Sequence, residues 1–190
     1  MSKTNNKQNT EKLVVAAVLT ALVVVLQLLC SFIKTGIFSI TLVLIPIVVG
    51  ASKCGAKVGA WLGFVFGMVV LLTGDAAPFM AVNAAGTIAT VLLKGSLCGL
   101  CAGLVYKALE KHNKYVAVFV AAIVCPVVNT GVFVLGSFAF FMDTIASWSV
   151  EGNAVSFLFV GLIGINFFIE IASNIVLCPV AVRLLNLRKE

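Results

Sequence analysis

Two residues in this chain carry charge in the middle of long apolar stretches. Lys94 lies within Val82–Tyr106 and Glu170 within Val155–Val182. A charge held in hydrocarbon costs about 2.5–3.5 kcal/mol on insertion scales, so each side chain needs a partner or a task. Lys94 precedes Lys107 by 13 residues and Glu170 precedes Arg183 by 13. If both stretches are helical, with about 1.5 Å of rise per residue, the two charges share one depth, about 20 Å from the flanking cations. Asn129, 15 residues beyond Lys114, reaches a similar level. Asn166, Glu170 and Asn174 are spaced i, i+4, i+8, which places them on one helix face, with Ser173 beside them. An ammonium, a carboxylate and several amides at one depth can recognise a polar solute. The same groups also fit a structural ion pair with asparagines stitching helices together. Asn83 and Thr87, at the other end of the Lys94 stretch, are placed to line the same cavity from above. Trp148 stands central in the connection Asp143–Ala154, as part of a lid or as an interface anchor.

The elements that must position these residues follow from composition. The 190 residues are 62% hydrophobic and only 11% charged, with a mean hydropathy of +1.18. A water-facing surface cannot be covered with so few polar side chains, so the chain needs lipid as its solvent. This excludes a cytosolic enzyme, a secreted disulfide scaffold and a nucleic-acid binder. Residues 1–12 read as a polar, disordered cytoplasmic tail, and 13–187 as one membrane domain. Its six apolar stretches are 13–33, 37–52, 56–73, 82–106, 116–142 and 155–182. Each is expected to be a helix, because lipid forces the backbone to satisfy itself internally. The second, interrupted by Pro46, is the shortest.

Charge asymmetry sets the expected orientation in a cell (plasma) membrane. With the N-terminus in the cytoplasm, Lys3, Lys7, Lys12, Lys53, Lys57, Lys107, Lys111, Lys114, Arg183, Arg188 and Lys189 all fall inside. Those are 11 of the 13 basic residues, and Asp75, Asp143 and Glu151 fall outside. The expected fold class is therefore an all-α integral membrane protein of six transmembrane helices, with N- and C-termini cytoplasmic.

Gly59, Gly63 and Gly67 in the third stretch, and Gly95, Gly99 and Gly103 in the fourth, repeat G-x-x-x-G and predict close helix packing within the chain. Ala16, Ala17, Thr20 and Ala21 form a smooth patch on the first. No cofactor or metal is expected. The six cysteines lie mostly in apolar helix, and Cys98-x-x-Cys101 has neither a second pair nor a histidine beside it. Lys94-Gly95-Ser96 lacks the glycine spacing of a phosphate loop, and no hydrolase arrangement is present.

Several pieces together carry a family resemblance. They are the basic tail running into residues 12–21 (KLVVAAVLTA), residues 45–51 (IPIVVGA), residues 55–63 (GAKVGAWLG), Lys94-Gly95 in mid-span and an asparagine-rich last span. From about residue 12 to 187 the chain resembles the substrate-binding S-component of energy-coupling factor (ECF) vitamin transporters. The resemblance implies a subunit that is not itself an enzyme. It implies capture of a water-soluble vitamin at the outer face, then toppling in the membrane to release it inward. A transmembrane coupling subunit and two ATPase subunits supply the energy. Ala17 and Ala21 match the A-x-x-x-A patch that docks on the coupling subunit. Lys94, Asn129, Glu170 and the Trp148 loop fall where substrate contacts are expected by position. The acidic segment of the riboflavin branch is not evident, and few aromatics in the outer halves of the helices argue against thiamine. A small polar anion such as pantothenate suits Lys94 and the amides, with riboflavin or another vitamin as further candidates. The alternative is a stand-alone permease or facilitator in which Lys94 and Glu170 form an ion-coupled pair. A non-transporting scaffold, with every polar group structural, is the other.

Overall fold

A computed structural model describes residues 2–32, 34–35, 38–39, 42–149 and 153–186, with the backbone alone at 2–9, 34–35, 38–39, 165, 180–181 and 184–186. Ile33, Ile37, the segment Val150–Gly152 and the C-terminal Arg188 and Lys189 lie outside the described residues.

Apart from connecting turns, the described residues are helical, with one two-residue antiparallel ladder. The first helix, α1, runs Ser2–Phe32. The polar segment expected to be a disordered tail therefore continues the first helix. Lys, Gln and Glu are good helix formers, and extending an existing helix is far easier than nucleating one. Strands β1 (Lys34–Thr35) and β2 (Phe38–Ser39) pair Lys34 with Ser39. Then follow α2 (Leu44–Cys54), α3 (Ala56–Leu72), the short α4 (Ala77–Met80), α5 (Ala84–Leu109) and α6 (Lys114–Phe140). The short helices α7 (Met142–Trp148) and α8 (Ala154–Ser156) lead into a π-helical segment, Phe157–Gly164, and the last helix α9 (Ile165–Asn186).

Four helical stretches are long and apolar enough to cross a membrane: Thr10–Phe32, Ala84–Leu109, Lys114–Phe140 and Ala154–Pro179. The remaining two expected spans are shorter. α2 has 11 residues and α3 has 17, about 16 Å and 25 Å of helix. Pro46 does not kink α2 but sits in its first turn, where a missing N–H costs nothing. α2 is instead a core helix, with Leu44, Pro46, Ile47, Val48, Val49, Gly50 and Ala51 all buried.

The glycine ridges of α3 and α5 meet each other. A Cβ at Gly63 would collide with the Gly95 carbonyl oxygen, and one at Gly99 with that of Gly59. Dispersion contact between backbones at this range holds helices together where lipid removes the hydrophobic drive. α5 packs in turn on α6, and α6 on α9. Outward-facing Leu72, Leu135, Val160, Phe168 and Val176 leave an apolar exterior.

Candidate functional site

The α3–α5 crossing fixes the first wall of a cavity. Gly95 brings α5 so close to α3 that Lys94 and Phe66 become neighbours, with the Lys94 ammonium 5.8 Å from the Phe66 ring centre. The same ammonium lies 5.6 Å from the ring of Phe133 on α6. Both distances fall in the range where a ring face attracts a cation. Thr87, Thr90 and Val91 extend this wall one and two turns along α5.

Asn129, Thr130 and Phe133 on α6 supply the second wall, and Leu162, Ile163, Asn166, Phe167 and Glu170 the third. Leu162 and Ile163 belong to the π-helical segment, where the expected continuous α-helix over 155–182 departs from 3.6 residues per turn. Asn129 and Glu170 are 4% and 7% exposed. The space between these walls, open mouth included, is ≈ 840 Å3. Its lining residues lie toward the helix ends remote from Lys53, Lys107, Lys114 and Arg183.

Asp75 closes the site from an unexpected direction. Gly74, at φ +76°, adopts the left-handed turn that ends α3. The turn leaves Asp75 lining the cavity rather than out in a loop. Its Oδ2 accepts hydrogen bonds from Ser31 Oγ at 2.5 Å, Gln27 Nε2 at 3.0 Å and Thr73 Oγ1 at 3.1 Å. Gln27, the one amide of the first apolar stretch, also lines the cavity.

A model of the family described as "ECF transporter, substrate-specific component" matches residues 11–182. The chain belongs to that family. No curated protein and no solved structure gives a match. As an ECF S-component the chain is a multi-pass membrane transport subunit and not an enzyme. Membership implies a small-molecule substrate and association with a coupling subunit and ATPase subunits.

Of the residues expected to form the site in this S-component, Lys94, Asn129, Glu170, Asn166 and Thr87 come together around one cavity. Asn174, one turn beyond Glu170, is buried outside the lining. Asn83 is not in the lining either, because its side chain caps α5 by accepting from Gly86 N at 2.9 Å. Trp148 stands behind the wall: its ring packs 5.5 Å from Phe79, which does line the cavity. Ala17 and Ala21 lie on α1 away from the cavity, both exposed. Leu19, Val23, Gln27 and Cys30 form the buried face of that helix.

Gln27, Asp75, Thr90 and Thr130 were missed. An amide isolated in an apolar span was the available signal for Gln27. Nothing in the spacing foretold the turn that carries Asp75 inward. The expected scarcity of aromatics is also corrected, since Phe66, Phe79, Phe133, Phe141 and Phe167 all line the cavity. They come from α3, α4, α6, the α6–α7 junction and α9, so no single stretch looks aromatic.

Proposed function

We propose that this S-component captures a water-soluble, vitamin-type solute from the outer face in the cavity around Lys94, Asn129, Asn166, Glu170 and Thr87. The observation that carries this reading is a concentration of buried polar side chains around one void in an otherwise apolar bundle. A structural ion pair needs two such groups, and here amides, hydroxyls and carboxylates from α1, α3–α4, α5, α6 and α9 face one space. The basic residues set the orientation, with both termini cytoplasmic and six crossings, α2 and α3 being the short ones. The cavity then opens outward.

Ala17 and Ala21 form the docking patch for the coupling subunit, where small side chains permit close helix approach. Delivery inward requires that subunit and its two ATPases. Asn83 and Trp148 act indirectly, one by capping α5 and the other by backing Phe79.

Mass spectrometry of small molecules released from the purified protein tests the capture reading. One solute per chain, absent after Lys94→Ala and Glu170→Gln in folded protein, is the expected result. No bound solute, together with ATP-free uptake into liposomes by the chain alone, would favour a permease instead.

A further inference from the structure

We propose that a second groove, between the first turns of α6 and the last turns of α9, binds one anionic phospholipid, its phosphate on Arg183 and an acyl chain laid between the helices. The two helices run in opposite directions here. Val116 and Phe119 on α6 and Ile175, Cys178 and Val182 on α9 line the groove. Cys178 is buried and forms the floor, while Val116, Phe119 and Ile175 stand exposed as rims. Ile175 and Val182 are seven residues apart, about 10 Å along the helix. With its open side included, the groove is ≈ 1150 Å3. It is a narrow apolar trough, the shape that a hydrocarbon chain fills.

Charge decides which lipid. One end of the trough carries Tyr115 and Arg183, both exposed. Among the described residues neither side chain makes a hydrogen bond or an ion pair. A guanidinium presents a fork of donors that matches phosphate oxygens, and a phenol can add one more. Lys114 adjoins Tyr115 at the start of α6, and the same connection holds Lys107 and Lys111 against Glu110. No acidic side chain is found among the described residues lining the groove. The cations select an anion and the trough beneath selects a hydrocarbon tail, and an anionic phospholipid has both. In the orientation proposed above, this end lies at the inner leaflet, where basic pockets between helices hold anionic headgroups. Farther along, the same two helices carry Asn129 and Glu170, so a lipid seated here braces two walls of the solute cavity.

The test is native mass spectrometry of the full-length protein in neutral detergent, titrated with phosphatidylglycerol or phosphatidylcholine. One phosphatidylglycerol per chain should bind about 10-fold or more tighter than phosphatidylcholine, because two cations, Arg183 and Lys114, stand near its phosphate. It should also raise the unfolding temperature, which phosphatidylcholine should not. Arg183→Gln should weaken phosphatidylglycerol binding about 5-fold. Ile175→Trp, which fills the groove and keeps the charge, should abolish it. Both positions are exposed, so the variants should fold, and thermal unfolding checks this. Lys57→Gln, exposed on α3 and away from the groove, should bind as the parent does. An equal loss in Lys57→Gln means diffuse attraction to a basic face and overturns the site. Displacement of the lipid by excess glycerol phosphate means a headgroup site without a chain and overturns it too. So does equal binding of the two lipids, or a protein dimer that Ile175→Trp breaks, which makes a second copy the occupant. None of these readouts depends on solute capture.

Discussion

The Gln27 amide donates to the Asp75 carboxylate at 3.0 Å across 48 residues of sequence. Both side chains line the cavity, and Gln27 sits on the same helix as Ala17 and Ala21. The proposed docking helix and the proposed solute site thus share a hydrogen-bonded contact. Removing the acceptor takes one partner each from two donors on α1, Gln27 Nε2 and Ser31 Oγ. Asp75→Ala is expected to lower stability by about 1–3 kcal/mol, and Ser31→Ala by about 0.5–1.5 kcal/mol. Unfolding in mixed micelles measures both, and equal losses would mean that the three-donor cluster is not the anchor.

Gly63 and Gly95 make the tightest backbone contact in the bundle's centre. Gly63→Ala places a methyl against a carbonyl oxygen that belongs to backbone and cannot swing away. Overpacking of this kind costs about 1–3 kcal/mol, and it pushes Phe66 away from Lys94. Thermal unfolding should show the loss, with weaker solute binding beside it; an unchanged protein would show that α3 and α5 can separate freely.

Asn83→Ala distinguishes a cap from a ligand contact. Loss of its bond to Gly86 N should cost about 1 kcal/mol of stability, while solute affinity stays unchanged. A large drop in affinity at unchanged stability would return Asn83 to the site.

Ala17→Leu and Ala21→Leu test docking. Both positions are exposed on α1, so larger side chains leave the fold and solute binding intact. Co-purification with the coupling subunit should fail. If the complex forms normally, the docking face lies elsewhere.

Much of the architecture could be read from side-chain types alone. Lipid as solvent, helix as the dominant regular structure and close packing at the glycine ridges follow from hydropathy and from spacing by four, because these are local properties of single helices. Lys94, Asn129 and Glu170 are legible by depth for the same reason, since rise per residue is constant and equal distance from flanking cations means equal level, and Asn166 by its four-residue spacing from Glu170. Family membership likewise rests on the residue pattern over 11–182.

Tertiary structure decided what depth leaves open, namely which way each side chain faces and which distant segment comes back to meet it. Asn83 and Thr87 are one turn apart, yet the first caps its own helix and the second lines the cavity. Asp75 reads as a loop residue until the turn at Gly74 folds it onto Gln27 and Ser31. The five phenylalanines become one lining only when α3, α4, α6 and α9 converge. Periodicity specifies a helix's own faces, but the angle at which one helix crosses another depends on side chains far away in sequence. That angle determines which polar groups share a space.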